Sequence, residues 1–304
     1  MAAGLHAFPA PGMRAHGHAR RLAHPMTKDP QMTEHDALHP LRPFLRNYVW
    51  EHGRVGTRYL DCTDGEVKFD EGKKARFAAE PYIYVPLDRD AADDPKAGGP
   101  AIQEAGLARF LRAAQLGKPG EAGSAAEVQR AVHDCVELAV FSAYQRDARQ
   151  ARDRYAQEPM FDDEIRAALV DDIRRTYTGM REQLALFDFT VLYGLPAPLL
   201  FSDAPFIDWR VCAKPGLPFV SLPLGPYCLL VGATSGRTSR AAPVVWKSAA
   251  AMGPLKDHNR YIVERARLWI VAATDDQLVA MQGRFAPAKQ ETAPSEDGAR
   301  PSEQ

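Results

Sequence analysis

Apolar residues recur at helical spacing between residues 126 and 157, where Val128, Val132, Cys135, Val136, Ala139 and Ala143 share one side until Pro159 stops the run. Val140 and Phe141 fall on other faces, which predicts a helix enclosed on more than one side. A second helix opens at Asp162-Asp163-Glu164, acids suited to the positive end of a helix dipole. It carries Ile165, Leu169, Ile173, Tyr177, Met180 and Leu184 as far as Phe187. The two helices are expected to pack on one another, burying Val136, Ala139, Ile173 and Tyr177.

Beyond residue 188 the period changes. Phe189 to Leu192, Leu199 to Phe201, Phe219 to Leu222 and Tyr227 to Val231 are short apolar runs separated by Pro and Gly, which read as strands joined by turns. Asp257 to Ala266 reads as a helix and Leu268 to Ala272 as a strand. Thr274-Asp275-Asp276-Gln277 is a capping-box start to a short closing helix ended by Gly283. Earlier in the chain, Leu41 to Trp50 forms a short apolar anchor. Val55 to Phe69, broken by Thr63-Asp64-Gly65, is a β-hairpin pattern. A strand at Tyr82 to Val85 and a short helix from Ile102 to Leu116 complete the set. The expected fold class is α+β, a central helix pair packed against a mostly antiparallel sheet.

Residues 1–36 carry five of the nine histidines with several Pro and Gly and no sustained period, a composition that does not offset its ordering entropy. Residues 287–304 are polar and rich in Pro, Ser and Glu. Both are expected to be disordered tails flanking one domain over 37–286.

The totals exclude some classes. With 38 Lys and Arg against 39 Asp and Glu, a formal charge of -1, the chain lacks the basic excess of a non-specific nucleic-acid or membrane-surface binder. The four cysteines, Cys62, Cys135, Cys212 and Cys228, form no CxxC pair and read as buried thiols in a reducing compartment. No apolar run reaches the roughly 18 to 20 residues of a membrane span. A cytoplasmic protein is therefore expected, with cofactor and partners left open.

Two places attract attention as chemistry. His133 and Glu137 lie four apart on the long helix with Tyr144 near the same face, so an imidazole, a carboxylate and a phenol are expected near one polar pocket. A solvated polar stripe is the simpler alternative. Ser202-Asp203-Ala204-Pro205 ends a strand before a Pro-restricted turn, which can project a carboxylate from a sheet edge. Asp203 is the favoured functional residue, and a turn-organising Asx role is the alternative. Arg146, Arg149, Arg152 and Arg154 favour the helix end electrostatically and are also able to hold an anion. The stretch from Gly232 to Ser239 lacks the phosphate-loop register and reads as a loop.

Taken in order, several short motifs resemble the bacterial family filed as domain of unknown function 4238. They are His39-Pro40-Leu41-Arg42 leading to Asn47-Tyr48, an Ala79 to Tyr82 element, and Ala143-Tyr144-Gln145 followed by Arg149. Ser202-Asp203-Ala204-Pro205, Ser221-Leu222-Pro223-Leu224 and the helix from Asn259 follow, so the resemblance spans about residues 38 to 273. The sequence departs from the family pattern in the spacing of His39-Pro40 and of Arg149, and Ala204 stands where Asn is common.

The expectation drawn from these pieces is a hydrolase or nuclease linked to phage defence or nucleic-acid processing. His39, Arg42, Gln145, Asp203 and Asn259 would converge as its catalytic groups, with Arg149 and Ser202 binding substrate. The alternative is a non-catalytic binding or regulatory module in which the same residues form a structural polar network. Composition and motifs leave open whether the chain is an enzyme.

Overall fold

The computed structural model describes residues 41–49, 55–71, 102–156, 163–212, 217, 219–234, 242–249 and 257–285, without the side chains of 148, 149, 151–156, 163–167, 169 and 170. The expected tails and the strand at 82–85 lie outside these residues.

Helix α1 (Arg42–Leu45) continues into a 3-10 turn at Arg46–Tyr48 and buries Phe44, Leu45 and Tyr48, as the apolar set predicts. Strands β1 (Gly56–Asp61) and β2 (Val67–Glu71) pair antiparallel with Leu60 opposite Val67. Gly65 sits at φ 75° in their connection, a left-handed conformation that a Cβ would disfavour. Helix α2 (Glu104–Leu116) precedes the long α3 (Ala125–Ala156) and α4 (Asp163–Leu184).

Strands β3 (Phe187–Tyr193), β4 (Phe201–Ser202), β5 (Ile207–Asp208), β6 (Phe219–Gly225) and β7 (Cys228–Thr234) follow, with a one-turn helix α5 (Trp209–Cys212) after β5. Strand β8 (Val245–Ser248), helix α6 (His258–Arg265), strand β9 (Trp269–Val271) and helices α7 (Asp275–Val279) and α8 (Gln282–Phe285) close the described chain.

The strands form two sheets, one in the order β2-β1-β9-β4 and the other β5-β6-β7-β3-β8. Every pairing is antiparallel except β3 with β8. The architecture is therefore α+β with mostly antiparallel sheets.

Period-two alternation explains why the strand runs are almost wholly apolar. Phe187, Phe189 and Val191 of β3, Val220, Leu222 and Leu224 of β6, Leu230 of β7, and Trp269 and Val271 of β9 join one core with α1 to α4. The alternate residues Leu229 of β7 and Ile270 of β9 join a second core with Leu60, Trp209, Ile262, Val263 and Leu278. Both faces are covered, so neither needs polar positions. The α3–α4 pair packs as expected: Val136, Ala139 and Tyr177 are buried, and Ile173 is half-buried against the same core. Leu169 lies outside the described side chains.

Four local expectations are corrected. Helix α4 ends at Leu184, because the alternation of Phe187, Phe189 and Val191 places Phe187 in β3. Gly283 lies inside α8, and α7 already ends at Val279. The capping box does not close: Thr274 makes no side-chain cap bond, and Gln277 Nε2 instead donates to the Pro198 carbonyl at 3.2 Å. Finally, Gly232 to Thr234 belong to β7 and not to a loop. Gly232 admits the Phe189 ring across the ladder, since a Cβ there would meet Phe189 Cε1 at 2.5 Å.

Candidate functional site

Asp203 follows β4, the short edge strand paired with β9. Its backbone N–H extends that pairing to the Trp269 carbonyl at 3.4 Å, while Oδ1 accepts from the N–H groups of Arg267 at 3.0 Å and Leu268 at 3.3 Å. These N–H groups belong to the connection from α6 into β9, where a carboxylate oxygen takes the place of a ladder partner. Asp203 is 3% exposed. Burial raises its pKa, against which the Arg267 N–H, the charge of Arg146 and the N–H groups of Leu268 and Trp269 act. Its second oxygen, Oδ2, is buried without a protein partner.

Arg146 supplies the opposing charge. It sits on α3, half-buried, with Nε and Nη2 both 2.9 Å from Asp147 Oδ1. Burial works against its charge, but Asp147 more than restores it, so its pKa is raised. Asp147 Oδ2 in turn accepts a short hydrogen bond from the hydroxyl of Tyr177 on α4. Burial and the Asp147 charge push the Tyr177 pKa up, while Arg146 and Arg265 act in the opposite direction. The Nη1 atom of Arg146 is buried and, like Asp203 Oδ2, has no protein partner.

Cys62, just after β1, feels the same centre: burial first and the Asp203 charge second push its thiol up to about 12. It is therefore a poor nucleophile at neutral pH. The centre at Asp203 thus bonds the β4 end to the entry of β9 and feels the charge of Arg146 on α3, while Arg146, Asp147 and Tyr177 join α3 to α4.

The expected site residues divide around this centre. Asp203 lies in it, and Gln145 is buried on α3 beside Arg146. Ser202 Oγ accepts the Ala204 N–H at 3.1 Å, a local turn bond. Asn259 serves the neighbouring backbone: its Oδ1 accepts the Leu200 N–H at 2.9 Å and its Nδ2 donates to the Pro198 carbonyl at 3.0 Å. Arg42 opens α1 with its Nε buried and unpartnered. His39 and the side chain of Arg149 lie outside the described residues. The cation whose charge reaches Asp203 is Arg146, which the sequence marks only as one of several arginines near a helix end. Asp147 and Tyr177 carry no motif that would single them out.

His133 and Glu137 share a recess, but it is small. A recess of about 30 Å³, room for roughly one water, is lined by His133, Val136, Glu137, Arg181, Leu184 and Phe189. Glu137 Oε1 lies 3.5 Å from His133 Nε2 and 3.2 Å from Arg181 Nε, and His133 is 59% exposed. Tyr144 is not part of it. That ring is buried in the core edge-on to Tyr177 at 5.7 Å, because two turns beyond Glu137 the same face of α3 is covered by α4.

A third feature has no counterpart in the expected chemistry. His258 at the start of α6 is fully buried, both ring nitrogens lack partners, and its ring lies 6.2 Å from that of Trp209. Burial lowers its pKa to about 3, so the imidazole is neutral in the folded protein. Among the described residues, no group of three or more His, Cys, Asp and Glu is placed to hold a metal ion, and no helix is long and apolar enough to cross a membrane.

No family model, curated protein or solved structure matches the chain.

Proposed function

We propose that this chain is a non-catalytic binding or regulatory module whose buried polar residues form a structural network. The observation that carries this reading is the engagement of its polar side chains with the backbone. Asp203 holds the Arg267 and Leu268 N–H groups, Asn259 holds Leu200 and Pro198, and Ser202 holds Ala204. Each of these groups spends an oxygen on closing a turn or fixing a neighbouring backbone segment, the bonding of a structural network. The resemblance to the domain of unknown function 4238 family belongs to the same proposal, for its Ser-Asp-x-Pro turn and Asn-initiated helix are the segments so engaged.

Asp203→Asn and Asn259→Ala tested together by thermal melting and by turnover of nucleic acid and phosphoesters decide the matter. The module reading expects lowered melting temperatures and no turnover that depends on Asp203. Turnover by the parent chain that vanishes in Asp203→Asn at unchanged melting temperature would overturn it.

The second reading, a hydrolase or nuclease linked to nucleic-acid processing or phage defence, is favoured by one observation. Asp203 keeps Oδ2 without a partner and burial raises its pKa, features shared by carboxyls that exchange protons at active sites.

A further inference from the structure

We infer that α6 is an acid-released latch: protonation of His258 frees this helix from α5 and from the segment leading into β4, while the rest of the fold stays closed. His258 is the first residue of α6 and is fully buried, and among the described residues neither of its ring nitrogens has a partner. Its ring lies 6.2 Å from that of Trp209 on α5. A neutral imidazole is tolerated there at the cost of two unmet hydrogen bonds, whereas an imidazolium would be a buried charge without a counter-ion. The charged form therefore requires that the ring reach water. The latch needs neither a ligand nor a reaction, so it stands whether the chain is a module or a hydrolase.

The bonds of α6 show what it fastens. Asn259 holds the Leu200 N–H at 2.9 Å and the Pro198 carbonyl at 3.0 Å. The Tyr261 hydroxyl donates to the Cys212 carbonyl at 3.2 Å, and Arg265 Nη1 lies 3.3 Å from Cys212 Sγ. Tyr261 also meets Trp209 edge-on at 4.9 Å. The helix itself is weakly secured: it has 8 residues, its N-cap Asp257 makes no side-chain cap bond, and its buried residues are His258, Ile262 and Val263. So short a helix is marginal without its packing. None of its residues belongs to the first core, so the α3–α4 pair and the first-core face of the β6–β7–β3 ladder keep their packing when it leaves.

Among the described residues no charge compensates the ring. On α6, Arg260 lies 3.6 Å from Asp257 and 3.8 Å from Glu264, and Arg265 turns to Cys212. At the step from β5 to α5, Asp208 is held by Arg210 at 2.6 Å, and Asp275 of α7 is paired with Arg58. Asp203 holds the backbone beyond α6 and works in the opposite sense, because burial raises its pKa. Burial is what lowers the His258 pKa to about 3. The open state, with an ordinary histidine pKa of about 6.5, takes up a proton that the closed state refuses, so opening grows as pH falls below that value. From about pH 7 to about pH 5, above the ordinary carboxylate range, the open fraction should rise about 25-fold.

Amide hydrogen exchange of the full chain at about pH 7 and about pH 5, corrected for the intrinsic pH dependence of exchange, tests the latch. Protection of the α6 amides should fall about 25-fold between the two, while the amides of β3 and β7 change less than about threefold. His258→Phe should keep its neutral-pH protection in acid. Unchanged protection of α6 in the parent would overturn the latch, as would an equal loss over β3 and β7, which is general unfolding. So would a His258→Phe chain that loses α6 protection as the parent does. If that variant does not fold, His258→Gln, neutral at both pH values, takes its place with the same expectations. If neither folds, the parent's pH series decides. A loss confined to α6 that steepens to about tenfold per pH unit below about 6.5 supports the latch, and one that begins only below about pH 4.5 assigns the opening to carboxylates and overturns it.

Discussion

The Tyr177 hydroxyl donates to Asp147 across the α3–α4 interface, and the same carboxylate holds the Arg146 guanidinium through its other oxygen. A hydrogen bond to an ionised, half-buried carboxylate is worth about 1.5–3 kcal/mol. Tyr177→Phe keeps the ring edge-on to Tyr144 and removes only the hydroxyl, so it is expected to lower stability by roughly that amount. Urea denaturation with an unchanged slope checks it, and an unaltered midpoint would show that Asp147 finds an equal partner in water.

Substitution of Asp203 separates acceptor from charge. Asp203→Ala leaves the Arg267 and Leu268 N–H groups without an acceptor and is expected to cost about 2–4 kcal/mol. Asp203→Asn keeps one oxygen for them and should cost less. Because burial raises the Asp203 pKa, its contribution to stability is full below the ordinary carboxylate range and is lost as pH rises through the raised value. Equilibrium unfolding across acid and neutral pH should therefore show the Asn variant gaining on the parent as pH rises.

His258 titrates in the opposite sense. Its pKa is about 3 in the folded protein against an ordinary 6.5. The unfolded chain therefore binds the extra proton between these values, and stability falls as pH drops below about 6.5, by at most about 1.4 kcal/mol per pH unit. Since neither nitrogen has a partner, His258→Phe should hold or raise stability at neutral pH and flatten the acid limb. A variant as acid-sensitive as the parent would assign the limb to other groups.

Gly232 gives a packing test. Gly232→Val sets a side chain against Phe189 and Val220 within the β6–β7–β3 ladder and should destabilise by about 1–3 kcal/mol. The paired change Phe189→Ala with Gly232→Val should then cost less than the sum of the two single changes, as measured by a double-mutant cycle.

The long helices were legible because Val128, Val132, Cys135 and Ala139 repeat at one spacing over many turns, and no other period competes. Strand β8 was not legible, for Val245, Lys247 and Ser248 are exposed and give its four residues no buried alternate face. β5 and α5 are two and four residues long, shorter than any period. Asp203 stood out through its Ser-Asp-x-Pro setting, but its partners did not. They are two backbone N–H groups 64 and 65 residues away and an arginine on α3, and a backbone donor leaves no mark in side-chain identity. Asn259 was found for the same kind of reason, although its bonds go to Leu200 and Pro198 and not toward Asp203.

Strand β8 runs parallel to β3 at the edge of its sheet, while β3 pairs on its other side with β7. β8 is held in the sheet by β3 alone, and three of its four residues are exposed, so it is expected to open before the β6–β7–β3 ladder that it borders. Trp246 on β8 lies against Phe110 of α2 and Tyr193 of β3, so the indole travels with the strand and its fluorescence reports the edge opening before the sheet itself melts.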